Sequence, residues 1–207
     1  FVSDLRTGAM SGGSGEQALL TAAVAQMHRF YGLPGGAAAG MTDSKLPDMQ
    51  AGWEQAISNV MAGLSGLNMV YESVGMHASL LGFSFESLVL GNDMLGQVQR
   101  CVRGINVTEE STSIEVMKSV CLDGPGHYLA ADQTLRLMQS EYIYPEIADR
   151  TSPKEWVERG QPNLVEKARQ KVRAILAQEN HMIAPDLHQR LASRFDLVPL
   201  KHAHTGE

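Results

Sequence analysis

Two helix patterns on either side of a short glycine- and alanine-rich strand restrict this chain to few folds. The first helix pattern ends at Gly32 and the second starts near Pro47. Between them lie a short strand and a polar turn that carries Asp43 and Lys45. This spacing is typical of one helix-strand-helix step in an α/β protein. The turn after such a strand is where ligand-binding side chains are usually mounted.

Capping residues and glycines predict where the first three helices begin and end. Ser14, with Gln17 three residues later, predicts the start of the first helix. Ser65-Gly66 closes the second helix, and the third runs from near Ser84 to Gly104. In each helix, large apolar side chains recur at helical spacing, and we expect them to form the packed face. These residues are Leu20, Val24, Met27 and Tyr31, then Met49, Trp53, Ala56, Ile57, Val60, Met61 and Leu64, then Phe85, Leu88, Val89, Leu95, Val98 and Val102.

The strands are fewer and all precede Thr108. Residues 1–4 are interpreted as the end of a strand, and residues 67–75 as a buried strand whose last part carries Glu72. Strands joined by single helices must lie parallel, because a right-handed crossover returns the chain to the same sheet. Such units form either a small open sheet or part of a (β/α)₈ barrel.

Helix patterns dominate from Thr108 onward. They cover residues 114–120 and 135–142, and caps at Ser152 and Asn163 precede two more. A further helix is predicted from Pro185 to Arg194, and a frayed tail from Lys201 to Glu207.

Composition and charge exclude several classes of function. The 207 residues are 43% hydrophobic and 19% charged, as in a globular protein. A formal net charge of -6, without a cluster of Lys or Arg, argues against a nucleic-acid partner. No apolar run approaches the roughly 20 residues of a membrane span. The two cysteines, Cys101 and Cys121, lack metal-ligand spacing, so we expect reduced thiols, no metal site and a cytoplasmic location.

Three motifs, in this order, resemble one protein family. They are DLRTG at residues 4–8, YGLP…GG…TDSKLPDMQAG at residues 31–52, and GPGHYL…T…Y…P at residues 124–150. Together they resemble the C-terminal half of the trimethylamine methyltransferase family, which includes the glycine betaine methyltransferases. The resemblance implies a TIM barrel, of which residues 1–150 would supply the C-terminal half. Residues 151–207 would add C-terminal helices and a tail to the same domain.

The resemblance also implies a reaction. Members of this family hand a methyl group to the cobalt of a corrinoid protein, so the corrinoid would be carried by a partner and no cofactor would be bound directly. Members that act on trimethylamine carry pyrrolysine in this half, and no non-standard letter occurs here. The expected substrate is therefore a small quaternary amine such as a betaine. Assembly into a homo-oligomer is compatible with this interpretation.

A methylated ammonium is recognised by aromatic faces and carboxylates, and a betaine also needs a clamp for its acid group. Each candidate also has a structural interpretation: a salt bridge for Glu72, a mutual ion pair for Asp43 and Lys45 or a helix cap for Asp43, and hydrogen-bonded structural histidines for His77 and His127. The candidate substrate-binding residues are Arg6, Asp43, Lys45, Glu72, His77 and His127.

Two other functions remain open from the sequence. A barrel lyase or aldolase could use Lys45 as a Schiff-base amine, and a half-barrel subunit without activity could serve as a scaffold. Glycines 35, 36 and 40 do not form a phosphate-loop motif. Close backbone packing, or the close approach of a substrate or of the corrinoid, would explain small residues at these positions equally well. His202 and His204 are expected to be solvated tail residues.

Overall fold

Alternating helices and short strands form the first part of the chain, and helices form the rest. The computed structural model describes residues 1–178 and 183–196. The strands in these ranges are β1 (Gly36–Ala38), β2 (Met69–Tyr71), β3 (Met76–His77) and β4 (Gly82–Phe83). The helices in the same ranges are α1 (Gly15–Phe30), α2 (Met49–Ser65), α3 (Phe85–Arg103), α4 (Glu109–Thr112), α5 (Ile114–Cys121), α6 (Asp132–Glu141), α7 (Pro153–Glu158), α8 (Leu164–Leu176) and α9 (Pro185–Arg194).

By its internal contacts the chain divides into two compact units, residues 1–172 and 173–207. The first unit contains every strand named above, and α9 belongs to the second. The predicted division at residue 150 stays a prediction. The predicted frayed tail, including His202 and His204, lies outside the described residues.

The predicted helix ends are confirmed where a cap specified them. The side chain of Ser14 accepts a hydrogen bond from the Gln17 amide at the start of α1. Ser84 caps α3 in the same way, and Gly66 closes α2 in the left-handed conformation with φ 85°. Asn163 Oδ1 accepts from the Val165 amide at 2.9 Å, which satisfies a free amide group at the start of α8.

The two strands on either side of α2 pair in parallel, as predicted. Residues 36–38 of β1 lie in register with residues 69–71 of β2. The predicted buried strand over residues 67–75 is wrong in length and in burial: β2 has three residues, and Met69 is 60% exposed. Glu72 ends it with φ 59°, a left-handed conformation that no strand continues through.

The strand end predicted at residues 1–4 is confirmed only as a single bridge, at Ser3. The Asp4 carboxylate accepts hydrogen bonds from the amides of Arg6 and Thr7, at 2.8 and 3.3 Å, and these bonds reverse the chain. Ser3 then forms an isolated antiparallel bridge with Met10.

A short hairpin that the sequence did not predict follows β2. Strands β3 and β4 pair antiparallel, and the three turn residues Ala78, Ser79 and Leu80 all have positive φ, at 48°, 50° and 81°. Such conformations are costly for residues other than glycine, so neighbouring groups must hold them in place. The amides of Ala78 and Ser79 donate to the carbonyls of Ser44 and Thr42, both at 2.9 Å.

Small and polar side chains form the buried faces of α1 and α2, and this corrects the predicted packing. The predicted stripes are largely exposed: Leu20 is 51% exposed and Met49 is 82% exposed. Small residues pack more closely between neighbouring helices, and the buried polar ones reach main-chain atoms of the strand ends. The buried residues are Ala18, Thr21, Ala22 and Ala25 in α1, and Ala51, Gln55, Ser58, Asn59 and Ala62 in α2.

Close packing explains the glycine at position 40. The Ser58 hydroxyl accepts a hydrogen bond from the Gly40 amide at 2.8 Å, and Asn59 Nδ2 donates to the Ser73 carbonyl at 2.9 Å. A Cβ atom at Gly40 would lie 2.0 Å from that same carbonyl oxygen. The end of β1 can therefore approach the chain after β2 only with glycine at this position.

The segment between α3 and α7 leaves α3 and returns to it. Arg100 Nε donates to the Glu141 carbonyl at 2.8 Å, and Arg103 Nη2 donates to the Ser140 carbonyl at 2.7 Å. Further along, Asp93 accepts hydrogen bonds from the amides of residues 146–148, at 3.0, 2.8 and 2.8 Å. Both contacts fix the end of the segment to the helix from which it departs.

Candidate functional site

The polar turn after β1 is the centre of a group of hydrogen-bonded side chains. We call Ser11, Thr42, Asp43, Glu54 and Ser79 the Asp43 cluster. Ser11 Oγ donates to Asp43 Oδ2 at 2.5 Å, and the Ser79 hydroxyl donates to Oδ1 of the same carboxylate. The Gly13 amide also donates to Oδ1, at 3.2 Å. Asp43 thus joins the chain before α1, the end of β1 and the β3–β4 hairpin.

A second carboxylate lies in the same cluster. Glu54 Oε2 accepts from the Thr42 hydroxyl at 2.5 Å and from the Asp43 amide at 2.8 Å. Gln50 Nε2 donates to its other oxygen at 3.0 Å. All of these donors are uncharged, so the hydrogen bonds leave the negative charge of the carboxylates uncompensated.

Hydrogen bonding keeps Asp43 ionised despite its partial burial. Burial raises the pKa of the Asp43 carboxyl, but hydrogen bonds from Ser11, Ser79 and Gly13 lower it by more. The net pKa is below the ordinary value of an aspartate. The cluster is therefore anionic at neutral pH and lies at the carboxyl end of β1, where parallel sheets commonly bind ligands.

His77 lies beside the cluster and is 4% exposed. Its Nδ1 atom is 3.2 Å from the Ser44 carbonyl oxygen, and its Nε2 atom is 2.6 Å from Ser87 Oγ. Both ring nitrogens therefore have protein partners, as the interpretation of His77 as a structural histidine requires. The imidazole joins the β1 loop and the hairpin to the first turn of α3.

Lys45 is exposed, and its Nζ atom donates to the main-chain carbonyl of Asp43 at 2.7 Å. The mutual side-chain ion pair suggested for these two residues does not form in the described part of the chain. A helix cap by Asp43 is also wrong, because Asp48 caps α2 through a 3.0 Å bond from the Ala51 amide. Asp43 instead lies too far before the helix and turns toward Ser11 and Ser79.

The other three candidates make no hydrogen bond to the Asp43 cluster. Arg6 pairs with Asp4 at 2.7 Å, and its side chain is 88% exposed. The hydrogen bond with Arg6 holds the pKa of Asp4 well below its usual range and raises the pKa of Arg6. Glu72 and His127 are exposed, and neither forms a salt bridge or hydrogen bond within residues 1–178 and 183–196. Substrate binding by these residues stays a prediction.

The sequence interpretation included Asp43 but not most of its partners. Ser11 and Ser79 are 32 and 36 residues away along the chain, and neither lies in a recognisable motif. Glu54 was hidden within a helix pattern because it lies one turn inside α2. The one usable signal was the density of polar residues in the turn at 42–45.

Two further properties concern the described residues as a whole. Within residues 1–178 and 183–196, no three His, Cys, Asp or Glu side chains come close enough to hold a metal ion. No helix in the same ranges combines the length and the hydrophobicity needed to cross a membrane.

Several curated proteins are similar to this chain. It is 36% identical over 182 residues to the trimethylamine methyltransferase MttB of Methanosarcina thermophila. The aligned residues cover 88% of this chain and 36% of that protein. It is 33% identical over 156 residues to the glycine betaine methyltransferase of Desulfitobacterium hafniense, and the aligned residues cover 75% of this chain and 32% of that protein. A trimethylamine methyltransferase MttB of Desulfitobacterium hafniense is 30% identical over 181 residues, covering 87% and 35%.

The chain spans about a third of the length of these relatives, which is less than the half expected from the resemblance. The sequence model of one family, described as trimethylamine methyltransferase, matches residues 1–196. This match covers the Asp43 cluster and every candidate residue discussed above. The chain therefore belongs to the trimethylamine methyltransferase family.

Proposed function

We propose that this chain is part of a methyltransferase that moves a methyl group from a small quaternary amine to the cobalt of a corrinoid protein. The observation that carries the proposal is family membership over residues 1–196. Among the relatives, one is named a glycine betaine methyltransferase and others are named trimethylamine methyltransferases. The absence of a pyrrolysine letter from these 207 residues favours the betaine-like substrate.

The Asp43 cluster supports a cationic substrate. Asp43 and Glu54 place two carboxylates at the carboxyl end of β1, and their hydrogen-bond donors are neutral. A permanently charged ammonium is attracted to such a site without any proton transfer. Charge and position therefore agree with what the family's reaction needs.

The β1–β2 pair supports a barrel that further strands complete. Parallel sheets occur almost only with both faces covered. Here Met69 is 60% exposed and Tyr71 is 44% exposed on β2. The relatives are much longer than this chain, and additional strands in the complete protein would cover these side chains. We propose the C-terminal half of a TIM barrel as the fold that satisfies both observations.

The proposed methyl transfer depends on positioning of the substrate more than on acid–base catalysis. A methyl group on a quaternary nitrogen leaves behind a neutral amine, which keeps the electron pair of the broken C–N bond. The corrinoid protein supplies the reduced cobalt that accepts the methyl group. The residues of this chain would hold the cation, orient one methyl group and exclude water.

The test uses the full-length protein with its corrinoid partner in the reduced state. Glycine betaine, trimethylamine and tetramethylammonium are added separately, and cobalt methylation is followed by visible absorbance. We expect methylation with a quaternary amine and none with trimethylamine. Absence of transfer from every methylated amine would contradict the proposal and favour a scaffold subunit without activity.

A Schiff-base lyase is the alternative enzyme. An activated lysine amine is usually desolvated or placed beside another cation. Lys45 is exposed and donates to a carbonyl, so its surroundings do not favour this chemistry. Borohydride should therefore trap no adduct on Lys45 with carbonyl substrates, and a Lys45-linked adduct detected by mass spectrometry would revive the lyase.

A further inference from the structure

A cavity of about 630 Å³ lies between α2, α3 and the start of α8. Its apolar wall includes Met49 and Trp53 from α2, Leu90 and Met94 from α3, and Val165 from α8. This volume is in the range of about 300–1,000 Å³ that small-molecule sites occupy. The cavity shares no lining residue with the Asp43 cluster, so the inference drawn from it does not depend on the proposed methyl transfer.

Two aspartates give this apolar cavity a negative charge. Asp48 and Asp93 line it, and no Lys, Arg or His is among its lining residues. A backbone hydrogen bond from Ala51 holds the pKa of Asp48 below its ordinary value. Burial raises the pKa of Asp93, but backbone hydrogen bonds, the largest from Ala148, lower it by more. Both side chains are therefore ionised at neutral pH.

The hydrogen bonds around these carboxylates determine which cation fits. Asp48 accepts from the Ala51 amide, and Asp93 accepts from three consecutive amides beginning at Glu146. A metal ion needs several free oxygen ligands, and a primary ammonium needs three acceptors. An indole, by contrast, attracts a cation through its ring face, and thioethers adapt to apolar groups. Lys167 contributes a positive charge near Asp93 but binds the Ile147 carbonyl.

We propose that this cavity is a second ligand site that binds a small organic cation whose charge is covered by methyl groups, such as a quaternary ammonium. Trp53 and the methionines contact the methyl groups, and Asp48 and Asp93 supply the attraction. Such a cation needs no hydrogen-bond acceptor, which matches Asp93, whose two oxygens already accept from three amides, while Asp48 adds negative charge beside it. The lining residues belong to α2, α3, α8 and adjoining loops and to none of the four strands, and we propose that the ligand binds there without transfer of a methyl group.

The test measures binding at Trp53 itself in the full-length protein. Tryptophan is replaced by fluorotryptophan, the fluorine resonance of Trp53 is assigned with the Trp53→Phe variant, and choline is added. The comparison ligand is the uncharged carbon isostere of choline, in which a carbon atom replaces the nitrogen. Trp156, which does not line the cavity, is the internal control.

We expect the Trp53 resonance to shift in a saturable manner with choline, and the isostere to bind about threefold to tenfold more weakly. Asp48→Asn should weaken choline binding by a similar factor while keeping the helix cap, because asparagine caps helices as well as aspartate does. An unchanged thermal midpoint verifies that the fold is retained. Equal affinity for choline and its isostere, or no saturable shift at Trp53, would overturn the proposal. Because the readout is local, failure of methyl transfer would not change this result.

Discussion

The carboxylate of Asp43 joins three segments that are distant in sequence. Asp43→Asn keeps the size of the side chain but removes the charge that accepts from Ser11, Ser79 and Gly13. We expect the free energy of unfolding to fall by about 2 kcal/mol, since hydrogen bonds to a charged group are worth about 1.5–3 kcal/mol. Urea unfolding measures the loss. Asp123→Asn is the control, because Asp123 is exposed and makes no hydrogen bond within the described ranges.

The Asp43→Asn variant also tests how the stabilisation by the Asp43 carboxylate depends on pH. The pKa of Asp43 is lowered in the folded protein, so its stabilisation is complete above the ordinary aspartate pKa and disappears as pH falls through the folded pKa. The difference in the free energy of unfolding between wild type and Asp43→Asn should thus stay constant near neutral pH and shrink below about pH 4. A difference that grows on acidification would contradict this role for the carboxylate.

The protonation of His77 follows from its two partners. The Ser44 carbonyl can only accept a hydrogen bond, so Nδ1 must carry a proton, and the Ser87 hydroxyl is the partner of Nε2. Nitrogen NMR of the imidazole should show a proton on Nδ1. Ser87→Ala would leave Nε2 without a partner and should cost about 1–3 kcal/mol of stability, whereas Ser119→Ala, at an exposed serine, should not. A proton on Nε2 alone would show that Nδ1 does not donate to the Ser44 carbonyl.

Helix ends were predictable from the sequence, but the face that each helix buries was not. Caps at Ser14, Ser84 and Asn163 act through local hydrogen bonds, which sequence patterns record directly. Burial depends on what each helix contacts, and α1 buries alanines where the pattern favoured Leu20 and Met27. Helical periodicity identifies an apolar stripe without identifying its partner.

A pair of substitutions in α1 tests which face is packed. Ala25 is 3% exposed and Ala23 is exposed, two positions apart on the same helix. Ala25→Leu should destabilise the protein by about 1–3 kcal/mol because the packed face has no room for the larger side chain. Ala23→Leu should change stability by less than about 0.5 kcal/mol. Thermal or urea unfolding gives both values, and equal effects would mean that the alanine face is not the packed one.

The β3–β4 hairpin escaped prediction, as did Ser11 and Ser79 of the Asp43 cluster. Their geometry rests on contacts across 30 or more residues, such as those of Ser79 with Asp43 and Met10. The left-handed turn at residues 78–80 contains no glycine or asparagine, the residues from which such a turn is usually predicted. The parallel pairing of β1 and β2 was predictable, because the intervening helix requires it.

The exposed face of β2 provides a test of the proposed barrel. In the full-length protein, Met69→Lys should cost about 2–3 kcal/mol or more if other strands cover this position, since an unpaired buried charge is strongly unfavourable. Leu129→Lys is the control at a residue that is 78% exposed, with an expected effect within about 0.5 kcal/mol. Unfolding by urea compares them. A similarly small effect of both changes would show that the face stays open to solvent and would argue against a barrel.

The contacts of Arg100, Arg103 and Asp93 determine where the chain can accommodate a change of length. The chain leaves α3 at Gly104 and is fastened to the same helix again at residues 140–148. The segment between these two points is therefore attached to α3 at both ends. Because both attachments are to one helix, we expect a short insertion or deletion between them to be absorbed on that flank and to leave the Asp43 cluster at the end of β1 in place.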